Sequence, residues 1–233
     1  MIPLRDNIPS RITPVVSVGL IVACTVVFFW QLALGPDGFQ AAVTSFGVIP
    51  ATLLGDARLP PDLYAVPPTV TVFTSMFLHG GVLHLLGNML YLWIFGDNVE
   101  DAMGHGRFVA FYLLCGLAAA LAQALPNAAS TIPMIGASGA ISGVLGAYLL
   151  LYPRAQVLVI IPIGIFMHAL HLPAMLVLGL WFVIQLVSSA FADPATGGVA
   201  FGAHIGGFLA GMALLPFFKR RDVRLARIPR RWG

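Results

Sequence analysis

The sequence predicts an all-α polytopic membrane protein with six transmembrane helices. Of its 233 residues, 59% are apolar and only 9% are charged, whereas about 25% of residues are charged in typical soluble domains. A water-soluble chain of this length needs a polar surface that this composition cannot supply, so lipid must be the solvent for most of it. The composition therefore excludes a disordered chain, a collagen, a disulfide scaffold and a soluble α/β enzyme.

Six segments approach or exceed the roughly 20 apolar residues that a helix needs to cross a bilayer. The predicted spans are residues 13–34, 72–95, 106–125, 136–151, 172–192 and 200–218. They form a membrane domain, 13–218, between an N-terminal tail, 1–12, and a basic C-terminal tail, 219–233. No small-residue cleavage site follows the first span promptly, so we interpret it as a retained helix and not as a signal peptide.

Two connections are longer than turns. Residues 35–68 contain six prolines and an apolar group between 39 and 49, and we expect this stretch to pack on or into the membrane surface because it is too long for an idle loop. Residues 152–171 contain an apolar run that Pro162 and Gly164 interrupt. This run suits an interfacial element or an early, kinked turn of the fifth span, and it leaves a seventh span open.

The basic residues predict the orientation of the spans. With six spans, eleven of the twelve Lys and Arg lie on one side and only Arg58 lies on the other, which predicts that both termini are cytoplasmic. Short tails and an Ala, Gly and Arg bias favour a multi-pass protein of the bacterial cytoplasmic membrane. The basic tail suits contact with anionic lipid better than nucleic-acid binding.

Cys24 and Cys115 lie within apolar runs, and we interpret them as small buried hydrophobic residues.

Polar residues within spans are costly and are therefore candidates for function. None of the nine acidic residues lies well inside a predicted span, which disfavours an ion pump or a proton antiporter. Ser138 lies at the start of the fourth span among small residues, where free N–H groups and the helix dipole suit a nucleophile and its oxyanion. Small residues in a span also serve helix packing, and both roles are compatible.

Two further spans carry histidine. His204 lies in a glycine-rich stripe of the sixth span, where either catalysis or a structural hydrogen bond would explain it. His84 and Asn88 are four residues apart and share a helix face, so they either pair with each other or act together.

The glycines predicted to mediate helix packing are Gly139, Gly143, Gly202, Gly206, Gly207 and Gly211.

On the predicted topology, the second, fourth and sixth spans all enter from the outer side, so His84, Ser138 and His204 share one depth. A buried Ser beside a buried His and oxyanion donors is the general arrangement for acyl transfer. Because no span supplies an Asp or Glu to orient the histidine, the sequence predicts a dyad. A zinc site that includes His79 is disfavoured because no carboxylate or Cys completes the ligand set.

Over nearly its whole length the chain resembles the rhomboid family of intramembrane serine proteases. The motifs that carry the resemblance are His84-x-x-x-Asn88, Gly136-Ala137-Ser138-Gly139 and Ala203-His204-x-x-Gly207. The resemblance implies a six-helix rhomboid-like bundle that needs no cofactor or metal. It implies Ser138 as nucleophile and His204 as general base, and it implies His84, Asn88 and the Ser138 N–H as oxyanion donors.

The implied substrates are transmembrane proteins, cleaved in or near a spanning segment from the extracytoplasmic side. The resemblance also implies that the loop after the first span lies partly in the outer leaflet, and that the fifth span with loop 193–199 forms a lateral gate and cap.

Two features depart from the family. Ser142 stands where an aromatic residue often stacks on the base, and the long loop lacks a Trp-Arg pair. The alternatives are a non-catalytic relative that binds transmembrane helices and, less favoured, a small transporter.

Overall fold

A computed structural model of the chain describes residues 1–163, 166–191 and 198–226, and these residues are mostly helical. The helices are α1 (Val15–Ala33), α2 (Gly35–Phe46), α3 (Pro50–Leu53), α4 (Pro68–Thr74), α5 (Val82–Met103), α6 (His105–Ala124), α7 (Ser138–Leu151), α8 (Ala174–Phe191) and α9 (Phe201–Phe218). The strands are β1 (Ile2–Arg5), β2 (Gln156–Ile163) and β3 (Phe166–Pro173). Most of loop 193–199 and three arginines of the basic tail lie outside the described residues.

The helices confirm an integral, multi-pass membrane protein. Four of them, α1, α6, α8 and α9, are long and apolar enough to cross a bilayer. A fifth span results if α4 and α5 are taken as one broken span, because they pass the same test together despite an 82° bend. The 14 residues of α7 are fewer than the roughly 20 that a span needs. The number of six spans therefore stays a prediction.

The second predicted span, 72–95, has the wrong bounds. The chain bends after a 3₁₀ turn, Ser75–Phe77, and α5 begins only at Val82. The sequence carried a sign of this bend, because His79, Gly80 and Gly81 lie between the two helical segments and a glycine pair is typical of a turn. The helix then continues to Met103, beyond the predicted end, because its last turns contain carboxylates that have partners within the protein. Consequently His84 lies in the first turn of α5 and not in the middle of a helix that begins at residue 72.

Strands β2 and β3 pair antiparallel, so a kinked helical start of the fifth span in this part of the chain is wrong. Strand β2 pairs with β3 on one side and with β1 on the other. Val157 and Val159 are fully buried, and a period of two is typical of a strand with one buried face. The sheet adds a small β element to the helical bundle. Helix α8 begins directly after β3.

Helices α7 and α9 pack backbone against backbone at the centre of the molecule. A Cβ added at Gly207 would lie 2.0 Å from the carbonyl oxygen of Gly139, and one at Gly211 would lie 1.9 Å from that of Gly143. Such a contact excludes any larger residue at Gly207 or Gly211. The relative position of the two helices is therefore fixed within narrow limits.

The other small residues of this set lie against α6. A Cβ at Gly202 would lie 2.6 Å from Gln123 Oε1, and one at Gly206 would lie 2.2 Å from Ala122 Cβ. Gly139 and Gly143 also approach α6, through Ala119 and Cys115. Helix α9 thus presents glycines to two neighbouring helices at once, which brings three helices unusually close together.

Both ends of the described chain meet at one end of the bundle. The Arg11 N–H donates to Asp101 Oδ2 at 3.3 Å, and the Arg220 N–H donates to the carbonyl oxygen of Ala102 at 2.9 Å. The fully buried carboxylate of Glu100 lies beside them. We call this the Glu100 end, and we call the opposite end, where α7 begins, the Ser138 end.

Candidate active site

The first turns of three helices meet at the Ser138 end. His84 lies in the first turn of α5, Ser138 is the first residue of α7, and His204 lies in the first turn of α9. Together with Asn88 they line a cavity of about 980 Å³. The structure thus brings together the four residues that the sequence analysis singled out.

Ser138 and His204 are in hydrogen-bond contact. The Ser138 Oγ lies 2.8 Å from His204 Nε2. The adjacent residue Gly139 and, one turn beyond His204, Gly207 form the close contact between α7 and α9. The separation of the serine and the histidine is therefore set by a backbone contact that has little freedom.

The second ring nitrogen of His204 also has a partner. His204 Nδ1 lies 2.8 Å from Oε1 of Gln185 on α8, and Gln185 is only 7% exposed. The sequence analysis missed this residue. A signal existed, because Gln185 is a polar residue inside the predicted fifth span, as His84 and Asn88 are inside the second.

Aromatic contact to His204 comes from α8 and α9. The ring of Trp181 lies 5.8 Å from the imidazole, centroid to centroid, at an interplanar angle of 35°, and Phe201 approaches edge-on at 6.5 Å. The Ser142 hydroxyl instead donates to the Ser138 carbonyl oxygen at 2.6 Å. An aromatic neighbour of the imidazole is thus present although α7 provides none.

Two side-chain donors lie beside the loop that leads into α7. Asn88 is buried, and its Nδ2 has no hydrogen-bond partner within the described part of the chain. The Gly80 N–H donates to His84 Nδ1 at 3.3 Å, so the neutral His84 ring carries its proton on Nε2. An orphan buried donor is costly in a folded protein, and here it borders an open cavity.

Gly136 allows these donors to approach the chain. Its φ of +119° is rarely adopted by residues with a side chain. An added Cβ would lie 2.7 Å from His84 Nε2 and 3.7 Å from Asn88 Nδ2. The Gly136 N–H donates to the Ser75 carbonyl oxygen at 2.9 Å, which ties the loop to the bend before α5.

Helices α5, α7, α8 and α9 all contribute to the lining of the cavity. Leu83 and Tyr91 line it from α5, Trp181 from α8, and Leu145 from α7. Leu83 is 85% exposed on the outside of the bundle. The cavity therefore has an apolar margin next to the polar groups of the site.

His79 has a local structural environment. Its N–H donates to Gln31 Oε1 at 3.0 Å, and its Nδ1 lies 3.2 Å from the Phe77 carbonyl oxygen. Across residues 1–163, 166–191 and 198–226, no group of three His, Cys, Asp or Glu side chains is arranged to hold a metal ion.

Comparison with known proteins identifies the family. Residues 68–221 match the rhomboid domain, which is more than half of the chain and includes α5, α7 and α9. The chain belongs to the rhomboid family.

Individual relatives agree with this assignment. The chain is 31% identical over 144 residues to RHOMBOID-like protein 5 of Arabidopsis thaliana, covering 62% of this chain and 43% of the relative. It is 30% identical over 155 residues to the mitochondrial Rhomboid protein 1 of Saccharomyces cerevisiae, covering 63% and 41%. It is 44% identical over 78 residues to the rhomboid protease GluP of Bacillus subtilis, covering 34% and 15%. The matches span less than half of each relative's length.

Proposed function

We propose that this chain is an intramembrane serine endopeptidase that hydrolyses peptide bonds in or near transmembrane segments of membrane proteins. The observation that carries the proposal is the 2.8 Å contact between Ser138 Oγ and His204 Nε2. A serine hydroxyl becomes a nucleophile when an adjacent base accepts its proton. The similarity to a rhomboid protease supports the same reaction class.

In the first step, Ser138 Oγ attacks the scissile carbonyl carbon and His204 Nε2 takes the hydroxyl proton. The carbonyl oxygen becomes an oxyanion, for which Asn88 Nδ2, His84 Nε2–H and the Ser138 backbone N–H are the proposed donors. The Asn88 amide is free to serve because no described residue occupies it. Such donors act most strongly where water is scarce and the dipoles are fixed beforehand.

His204 then returns the proton to the leaving amine, which releases one product and leaves an acyl ester on Ser138. Water completes the cycle when His204 takes its proton and the ester is hydrolysed. A helical substrate must unwind locally to expose the carbonyl group, because the backbone hydrogen bonds of an intact helix hide it. Residues that destabilise the substrate helix should therefore favour cleavage.

The proposal includes an orientation. The Ser138 end faces the extracytoplasmic side and the Glu100 end faces the cytoplasm, since basic residues concentrate near the chain termini. The C-terminal tail contacts anionic lipid. The relatives include both a mitochondrial and a bacterial protein, so the similarity does not favour the bacterial cytoplasmic membrane, and that location rests on composition alone.

Labelling of the detergent-solubilised protein with a fluorophosphonate probe, followed by peptide mapping, tests the proposal. We expect an adduct on Ser138 that is lost in Ser138→Ala and in His204→Ala. Ser142→Ala is the matched control, because Ser142 lies one turn further along α7, and it should retain the adduct. A folded wild-type protein that takes no label would contradict the proposal and favour a non-catalytic protein that binds transmembrane helices.

A further inference from the structure

Helix α8 contributes one buried polar side chain to the interior. Half of its residues are exposed on the outside of the bundle, and the buried ones are Ala174, Val177, Leu178 and Gln185. Gln185 is the polar member of this set, and it lies against the imidazole of His204. Burial of an amide in an apolar helix costs free energy unless both of its polar ends find partners, so the contacts of Gln185 define its role.

Both ends of the Gln185 amide have partners of defined polarity. Its Nε2 donates to the carbonyl oxygen of Trp181 at 3.4 Å, and a carbonyl oxygen can only accept. The amide oxygen must therefore face His204, where it can only accept as well. The His204 proton consequently lies on Nδ1, and Nε2 keeps a free lone pair.

That lone pair points at Ser138. The hydrogen bonds run in one direction, from the Ser138 hydroxyl to His204 Nε2, from His204 Nδ1–H to Gln185 Oε1, and from Gln185 Nε2 to the Trp181 carbonyl oxygen. A histidine with the other tautomer would present a proton to the serine and could not act as its base. The Gln185 amide thus selects the tautomer that general-base catalysis requires.

We propose that Gln185 is a positioning residue that converts the Ser138–His204 pair into a Ser-His-Gln relay. This inference rests on the proposed function. A neutral amide orients the imidazole and stabilises its charged form through a dipole. It also avoids the much larger cost of a carboxylate buried within a span. Gln185 orients the His204 imidazole, a role for which the sequence analysis found no acidic residue.

The arrangement also makes His204 depend on α8. Trp181 and Gln185 are four residues apart on one face of this helix, and one contacts the imidazole through its ring while the other binds it by a hydrogen bond. The base on α9 is therefore oriented from α8, whereas its distance to the nucleophile is set by the contact between α7 and α9.

Three variants test the proposal. Gln185→Met keeps the length of the side chain and removes the strong acceptor, and Gln185→Glu keeps an acceptor. Ile184→Met is the matched control, because Ile184 is the neighbouring residue on α8 and is half exposed on the outside. The measurements are the rate of fluorophosphonate labelling of Ser138 between pH 5 and 9 (about the range in which His titrates) and ¹⁵N NMR of the histidine ring nitrogens.

We expect Gln185→Met to lower the labelling rate by roughly 10- to 100-fold, which is at or below the roughly 10²-fold minimum that a correctly placed general base contributes, because the variant keeps the base and loses only its orientation. It should also weaken the ¹⁵N signal of the Nδ1–H tautomer of His204. Gln185→Glu should restore the rate at high pH and move the acid limb of its pH profile upwards, because a carboxylate stabilises the imidazolium. Ile184→Met should behave as the wild type.

Two results would overturn the inference. One is a Gln185→Met variant with the wild-type rate and pH profile. The other is an equal loss in Gln185→Met and Gln185→Glu with unchanged histidine signals, which would make Gln185 a packing residue only. The failure of the proposed function is distinct, because there the wild type itself would take no label.

Discussion

Helix α5 carries a buried polar group at each end, and the two groups have opposite surroundings. Near its C-terminus, the carboxylate of Glu100 accepts hydrogen bonds from the Val16 N–H, the Ser17 N–H, the Ser17 hydroxyl and His105 Nδ1, at 2.6 to 3.0 Å. Near its N-terminus, the Asn88 amide nitrogen has no partner among the described residues.

On the proposed function, the difference separates a structural site from a catalytic site. The Glu100 carboxylate satisfies free N–H groups in the first turn of α1, which has no side-chain cap of its own, so this negative charge stabilises the start of a helix. The Asn88 donor is left for a group that the protein does not contain, beside a cavity and a serine–histidine pair. A saturated buried group holds the fold together, and an unsaturated one beside a cavity is available to a substrate.

The sharpest test compares two asparagines on α5. Asn88→Ala should lower turnover by roughly 10²–10³-fold, the loss found for one oxyanion donor in a soluble protease, with little change in thermal stability. Asn98 donates from its Nδ2 to the Ile8 carbonyl oxygen at 3.0 Å. Asn98→Ala should therefore reduce stability by about 1–3 kcal/mol and leave turnover per folded molecule unchanged.

Both quantities are measurable on one preparation, with cleavage of a transmembrane model substrate for turnover and melting in detergent for stability. An Asn88→Ala variant that melts early yet cleaves at the wild-type rate would assign Asn88 to structure, and the contrast between the two ends would fail.

Glu100→Gln tests the structural role of the buried carboxylate near the C-terminus of α5. It removes the charge that receives four donors and turns an amide group towards them. Because hydrogen bonds to charged groups are worth about 1.5–3 kcal/mol, we expect a loss of that size in the free energy of unfolding. Titration from a mild detergent into SDS measures it. Asp62→Asn, an exposed change in the loop after α3, should stay within about 0.5 kcal/mol of the wild type.

Turnover per folded molecule should not change in Glu100→Gln. A fall in turnover without a fall in stability would mean that a change at Glu100 alters the arrangement of Ser138 and His204.

The smallest expected effect concerns pH and the N-terminal segment. Burial raises the pKa of Asp6 to about 6, even though the Tyr148 hydroxyl that bonds to it acts in the opposite direction. Between about pH 4 and pH 6 the folded protein therefore holds a proton that the unfolded chain releases. Stability should fall as pH rises through this window. The fall should be smaller in Asp6→Asn.

Melting temperatures at pH 4, 5, 6 and 7 test this, with the exposed Asp56→Asn as control. A slope that is the same in the wild type and in Asp6→Asn would rule out Asp6 as its source.

The spans were predictable because apolar length reports directly on the bilayer. Apolar length alone gave the wrong bounds at residues 72–95, since the chain bends by 82° where His79, Gly80 and Gly81 briefly interrupt the apolar run. It also left the segment of β2 and β3 undecided, where buried valines alternate along β2 and this strand pairs with both β1 and β3. Strand pairing depends on residues about 150 positions away, and a local pattern cannot report on them.

The motif residues of the site were predictable for a different reason. Ser138, His84, Asn88 and His204 are polar groups in apolar surroundings, and each is costly enough to be conspicuous. Gln185 carries the same signal, but only its distance to His204 Nδ1 gives it a role. Trp181 carries none, because an aromatic residue in a span is ordinary.

The amino-acid sequence was enough to place the chain in a membrane and to single out polar residues within its spans, because lipid penalises each exposed polar group separately. How those groups meet follows from the packing of the helices. Glycine contacts between α7 and α9 set the distance from Ser138 to His204, and α8 supplies the amide that orients the imidazole. Distances and hydrogen-bond polarity are properties of helix pairs far apart in the chain, so they follow from packing and not from any one segment.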